Sequence, residues 1–240
     1  MIASLFRGLR ELAYPPVCAS CSALLLTNTA AGFCGSCASA LTSDPHETCP
    51  RCAHAVGSYA ETAQGCAQCR DDRFAFESAF RLGPYDGVLR DLILAAKHRP
   101  GEQLAENVGH LWATHHEAKI REIGAEIVIP VALHWWKRLR RGFNQTACLS
   151  AAIADRVGLD HRPDWLRRVR ATRSQVSLSP TRRRTNVVGA FRASWRAQLT
   201  GRSVLLVDDV LTTGATASEA AKALRAAGAA RVVVAVLATR

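Results

Sequence analysis

Eight of the nine cysteines in this 240-residue chain stand in four C-x-x-C pairs: Cys18/Cys21, Cys34/Cys37, Cys49/Cys52 and Cys66/Cys69. A turn of this kind puts two thiolates on one side of a short loop, and two turns close a tetrahedron around a zinc ion. Four pairs supply two complete four-thiolate sites with no ligand missing, the pattern of structural rather than catalytic zinc. The spacing favours consecutive pairing of the turns and leaves an interleaved arrangement open. A disulfide framework needs an oxidising compartment. Residues 1–15 do not form a secretory signal, because Arg7, Arg10 and Glu11 interrupt the apolar positions; an amphipathic helix over 1–14 is expected instead. Zinc also supplies stability to a segment with few large apolar residues.

The composition sets the outer bounds. Hydrophobic residues make up 48% of the chain and mean hydropathy is zero, which describes a soluble globular protein. Residues 12–43 carry no charge, but polar residues and cysteines break them so often that the longest apolar run is 23–26, far short of a membrane span. A non-spanning, cytoplasmic protein is expected. The formal net charge is +11, and residues 137–202 alone hold sixteen basic side chains against three Asp, a net of +13. Such a concentrated field selects polyanions. Cys148 lies in a helix-like stretch with Leu149, Ile153 and Val157 on one face and reads as a small core residue.

Beyond Cys69 the pattern changes to alternating strands and helices. Strands are expected at 74–82, 126–131, 203–207 and 231–237, and helices at 87–97, 103–118, 144–157 and 215–227. Such alternation predicts a parallel sheet with helices on both faces, and ligands of such sheets sit at the carboxyl ends of the strands. There the chain places Asp208 and Asp209, then Thr212, Thr213, Gly214, Ala215 and Thr216 at the start of a helix. Backbone N–H groups and hydroxyls at a helix N-terminus suit a phosphate. Gly214 leaves the backbone open to close approach, and the two carboxylates suit ribose hydroxyls and a magnesium ion.

Residues 204–216 resemble the phosphoribosyl-pyrophosphate (PRPP) signature of type I phosphoribosyltransferases. The resemblance implies a PRPP site at Asp208, Asp209, Thr212, Thr213, Gly214, Ala215 and Thr216. Purine-salvage members carry an Asp base where this chain has Thr212, so no general base carries over. The flanks narrow the likeness: Tyr85-Asp86-Gly87-Val88-Leu89-Arg90 leading to Lys97, Ile129-Pro130-Val131 leading to Arg140-Arg141-Gly142-Phe143-Asn144-Gln145, and Asn186-Val187-Val188-Gly189-Ala190-Phe191. With the cysteine pairs, these are similar to the ComF family of competence proteins, from about residue 12 to the C-terminus. The family more often has a second proline where this chain has Ala132.

That resemblance implies a type I phosphoribosyltransferase fold at 73–240 behind a double zinc-ribbon module at 15–72. Pro130, Val131, Arg140 and Arg141 become pyrophosphate candidates. Arg167, Arg168, Arg170, Arg173, Arg182, Arg183 and Arg184 fall where such enzymes place a hood loop, and they are candidates for nucleic acid. Trp135, Trp136, Phe143, Trp165, Phe191 and Trp195 lie among the cations, and basic grooves with aromatic platforms suit single-stranded DNA. Core packing is the competing role for these rings; Trp135 and Trp136 cannot both face a core if their segment is extended.

Three functions are then open. The first is a DNA-uptake protein that binds PRPP or a nucleotide, handles single-stranded DNA and meets the uptake machinery at the inner face of the membrane. The second is an active transferase moving ribose 5-phosphate from PRPP to a base. The third is a PRPP-sensing regulator of duplex DNA, against which stands the absence of a helix-turn-helix pattern. Structural zinc and PRPP-bound magnesium are the expected cofactors. Metal analysis of protein purified without added zinc is expected to give about two equivalents per chain; one equivalent would mean that two of the four cysteine pairs have another use. Cys18→Ser and Cys66→Ser are each expected to lose solubility rather than one activity.

Overall fold

The computed structural model describes residues 15–25, 31–171 and 185–240. The expected helix at 1–14 lies outside them, as do Arg173, Arg182, Arg183, Arg184 and the side chain of Arg140. In chain order the elements are α1 (Gly35–Thr42), β1 (Glu47–Thr48), β2 (Ala55–Val56), β3 (Ser78–Pro84), α2 (Gly87–Ala95), α3 (Glu102–Glu122), β4 (Ile127–Pro130), α4 (Trp135–Arg141), α5 (Gln145–Val157), β5 (Asp160–His161), β6 (Leu166–Arg168), β7 (Phe191–Ala193), β8 (Ser203–Leu211), α6 (Ala215–Ala226) and β9 (Arg231–Thr239).

Five strands form one parallel sheet in the order β3-β9-β8-β4-β5. The runs of Val, Leu and Ile dictate this: Val204 to Val207 and Ile127 to Ile129 are fully buried, as a strand covered on both faces must be. Two apolar cores lie on the two faces. One joins Leu205, Val207 and Val233 to Trp112, Leu149 and Ile153; the other joins Val204, Leu206 and Val234 to Ala217, Ala220 and Leu224. Residues one apart on a strand therefore serve opposite cores. Trp112 Nε1 donates to the Val236 carbonyl at 2.8 Å, so its burial leaves no orphaned donor.

The cysteine-rich segment is built into both cores. Cys18, Phe33 and Leu41 join the Trp112 side, and Ala53 joins the Leu206 side. Between them the buried Arg81 of β3 pairs with Asp44 at 2.8 Å and donates to Thr239 Oγ1, whose hydroxyl donates to the Ala53 carbonyl.

Some boundaries differ from the expected ones. The strand expected at 74–82 begins at Ser78, because Phe74 and Phe76 stack on each other at 4.5 Å instead of entering the ladder. The strand expected to end at 207 pairs as far as Leu211 opposite Thr239, so the two acids lie within the ladder. Residues 135–141 are helical, and Trp135 and Trp136 are both exposed, at 63% and 59%; neither serves a core. Cys148 is half-buried rather than a core residue, and burial raises its thiol pKa.

His116 carries a pH dependence. It packs against Trp112 and Phe80 and donates Nε2–H to the Arg81 carbonyl at 3.0 Å. Burial, with the charges of His115 and Lys119, holds its imidazole down to about 3. The folded pKa lies below the unfolded one, so this stability is complete above about pH 6.5 and is lost as pH falls toward 3, on the order of 1.4 kcal/mol per pH unit. Burial lowers His54 and His161 in the same direction. Denaturant titrations between pH 4 and 7 are expected to show this loss, and His116→Gln, which keeps a donor toward Arg81, is expected to flatten it.

Candidate functional site

Each four-cysteine cluster draws its ligands from one short stretch of the chain. Cys18, Cys21, Cys34 and Cys37 converge in one, and Cys49, Cys52, Cys66 and Cys69 in the other, with all sulfurs of a cluster within 4.8 Å. The pairing is consecutive. Sulfur separations of 3.7 Å for Cys21–Cys34, 3.8 Å for Cys49–Cys69 and Cys66–Cys69, and 3.6 Å for Cys52–Cys66 match a tetrahedron edge of about 3.8 Å, which follows from Zn–S bonds near 2.3 Å. The nine cysteines are free thiols. The geometry fits structural zinc. At Gly65 a Cβ would come within 2.8 Å of Cys69 Sγ, at φ +97°, so only glycine fits beside that ligand. All four cysteines of the second cluster are buried, whereas Cys21 of the first is exposed. Burial raises the Cys52 thiol above its ordinary value, which a dication in the centre would offset.

The second cluster leads into the phosphate-type loop. Gly214 takes φ +72° and precedes the twelve-residue helix α6, which has no side-chain cap. A Cβ at Gly214 would meet the Phe74 ring at 2.7 Å. Glycine is therefore demanded here by backbone conformation and by Phe74. Thr212, Thr213 and Thr216 are half-buried around it.

Before this loop the two acids diverge. Asp209 pairs with Lys97 at 2.9 Å, on the α2 side of the sheet. Asp208 faces the antiparallel pair β6–β7, where Arg168 stands. Backbone N–H groups hold both carboxylates: Asp209 N donates to Asp208 Oδ1 at 2.9 Å, and Val210 N to Asp209 Oδ1 at 2.8 Å. Burial, then the Asp209 charge, pushes Asp208 up to about 8, against the pull of Lys97 and Arg168. Two adjacent carboxylates with a cation on each side suit a ligand bearing both hydroxyls and anionic groups.

The other expected residues separate. Pro130 ends β4 opposite Val207, and Val131 just beyond it donates its N–H to the Val207 carbonyl at 2.8 Å, so they adjoin Asp208; Arg141 is half-buried at the end of α4. Alternation along β6 splits the neighbouring arginines: Arg167 points outward, and Arg168 turns inward with its guanidinium 5.2 Å from the Phe191 centroid. Arg170 donates to the carbonyls of Asn186 and Val188 at 3.0 and 2.6 Å. Among the aromatics, Phe143 and Phe191 are buried and Trp165 half-buried, while Trp135, Trp136 and Trp195 are exposed. Sequence reasoning gave no role to Arg51 and Phe74, and it noted Lys97 without placing it. A basic residue inside the Cys49/Cys52 turn was the available signal for Arg51.

Comparison with known proteins agrees with this arrangement. Residues 9–72 match the double zinc ribbon domain and residues 163–240 the phosphoribosyl transferase domain. Competence protein F of Haemophilus influenzae is 29% identical over 201 residues, covering 82% of this chain and 86% of that protein. DNA utilization protein YhgH of Escherichia coli K12 is 30% identical over 207 residues, covering 85% and 88%. A solved structure of the PRPP amidotransferase of B. subtilis, complexed with ADP and GMP, overlaps more loosely: 21% identity, TM-score 0.41, 60% of this chain and 30% of that one. The parallel sheet, the two cysteine clusters and the near-full-length match to YhgH place the chain in the ComF/YhgH family of double-zinc-ribbon, phosphoribosyltransferase-fold proteins.

Proposed function

We propose that the chain is a PRPP- or nucleotide-binding protein of DNA uptake and utilization that handles single-stranded DNA in the cytoplasm. One observation carries the ligand assignment: two neighbouring carboxylates, one of them paired with Lys97, stand immediately before a glycine-pinned loop at an uncapped helix N-terminus. A ribose phosphate presents the complementary groups. Its diol donates to Asp208 and Asp209, and its 5′-phosphate takes the N–H groups and hydroxyls of residues 212–216. Lys97 and Arg168 would receive pyrophosphate oxygens, and Arg140 and Arg141 are further candidates for that role. Hard carboxylate oxygens also fit magnesium, which when bound neutralises charge on the pyrophosphate. The uptake role rests on the relatives named competence protein F and DNA utilization protein YhgH. Among the described residues no helix is long and apolar enough to cross a membrane.

The DNA reading draws on the +13 segment and on exposed Trp135, Trp136 and Trp195. Unpaired bases can stack on these rings while Arg167 and its neighbours meet phosphates. Four to six such contacts correspond to a log–log salt slope of roughly −3 to −4 for single strands.

Calorimetric titration with PRPP and magnesium is the direct test. Wild type is expected to bind, and Asp208→Ala with Asp209→Ala to lose binding while single-stranded DNA affinity and its salt slope stay nearly unchanged. Unchanged PRPP affinity in the double variant would remove the diol assignment. Base-dependent release of pyrophosphate would move the chain to the second reading, an active pentosyl transferase.

A further inference from the structure

The second cysteine cluster and the loop at 212–216 are walls of one cavity of about 380 Å³, with Cys52 and Cys69 on one side and Thr212, Thr213 and Gly214 on the other. Phe74 stands between them. Its ring rests on Phe76 and takes the space in front of Gly214. The metal module in turn holds Phe74. Arg51, inside the Cys49/Cys52 turn, lies over the Phe74 ring at 5.4 Å from its centroid. The same guanidinium donates to the Cys69 carbonyl at 2.9 Å and to the Asp72 carbonyl. One residue beyond Phe74, the Ala75 N–H bonds Ser218 Oγ at 3.0 Å, in the first turn of α6. A short packed path therefore runs from the thiolates through Arg51 and Phe74 to the glycine that shapes the loop.

We propose that Arg51 and Phe74 are positioning residues that link zinc in the Cys49/Cys52/Cys66/Cys69 site to a phosphate group held by residues 212–216, so that each occupant tightens the other. Zinc draws the two cysteine turns together and keeps the Cys69 carbonyl and the Asp72 carbonyl in reach of Arg51. Arg51 holds Phe74, and Phe74 leaves Gly214 a single place to lie. A phosphate on the loop fixes Gly214 and, through the same contacts, the turns. Such coupling is reciprocal by thermodynamic necessity. The first cysteine site has no part in this path, since Cys18, Phe33 and Leu41 pack into the core on the opposite face of the sheet. The inference rests on reading residues 212–216 as a phosphate loop.

Peptide-resolved alkylation of the zinc-loaded full chain tests it, with a zinc-selective chelator that leaves magnesium in place. PRPP with magnesium, or inorganic phosphate alone, is expected to slow labelling of Cys49, Cys52, Cys66 and Cys69 by at least about fivefold, the lower end of ordinary coupling. Labelling of Cys18, Cys21, Cys34 and Cys37 is expected to be unchanged, which excludes general stabilisation. Phe74→Ala is expected to abolish the protection and Phe74→Tyr to retain it. Calorimetric binding of PRPP with both clusters labelled at unchanged rates, or both slowed equally, would overturn the coupling and leave the loop assignment standing. Absence of binding by either ligand would overturn the loop assignment and the coupling with it.

Discussion

A five-stranded parallel sheet must be covered on both faces, and in this chain much else follows from that requirement. The central residues of β8 and β9 are wholly apolar and almost without exposure, so neither face can meet water. Helices α3 and α5 supply cover on one side and α6 on the other. The cysteine-rich segment supplies the rest, with Phe33 and Leu41 on the first face and Ala53 on the second. Metal binding in such a segment is coupled to its own folding. The ribbon module straddles β3, an edge strand, and the Asp44–Arg81–Thr239 chain of polar contacts stitches it there. A buried arginine needs that partnership, because an uncompensated guanidinium in a core is strongly unfavourable.

The same sheet builds the site. Alternation along β8 sends Asp208 and Asp209 to opposite faces, where different elements meet them with Arg168 and Lys97. Burial and the neighbouring Asp209 charge raise the pKa of Asp208. Paired carboxyl groups suit hydroxyl partners. The adjoining helix N-terminus favours anions. A ligand with hydroxyls at one end and phosphate at the other satisfies both.

The second cysteine cluster and the loop after β8 are therefore built against each other. The cysteines differ in exposure between the clusters, and the more enclosed cluster shares a cavity with the loop. Structural zinc can act at a distance from chemistry when the residues it orders are the ones against which a loop is packed.

The sequence alone determined whatever depends on short-range spacing. Four C-x-x-C turns announced two tetrahedral sites, since ligands three residues apart need no distant partner to converge in a pair. Apolar runs bounded by helical periods announced the parallel sheet, and the acid–acid–loop order at 208–216 announced the turn from β8 into α6. Two- and three-residue strands such as Leu166–Arg168 and Phe191–Ala193 left no period to read, and Phe74 and Phe76 imitated one they do not follow. Tertiary structure decided how the cysteine turns pair, which of Arg167 and Arg168 faces Asp208, and which aromatics remain exposed. It also decided that Phe74 lies against Gly214, from the far end of the domain's sequence. These are contacts between side chains that no local period places together; they exist only once the two faces of the sheet have been covered and the ribbon has nowhere else to sit.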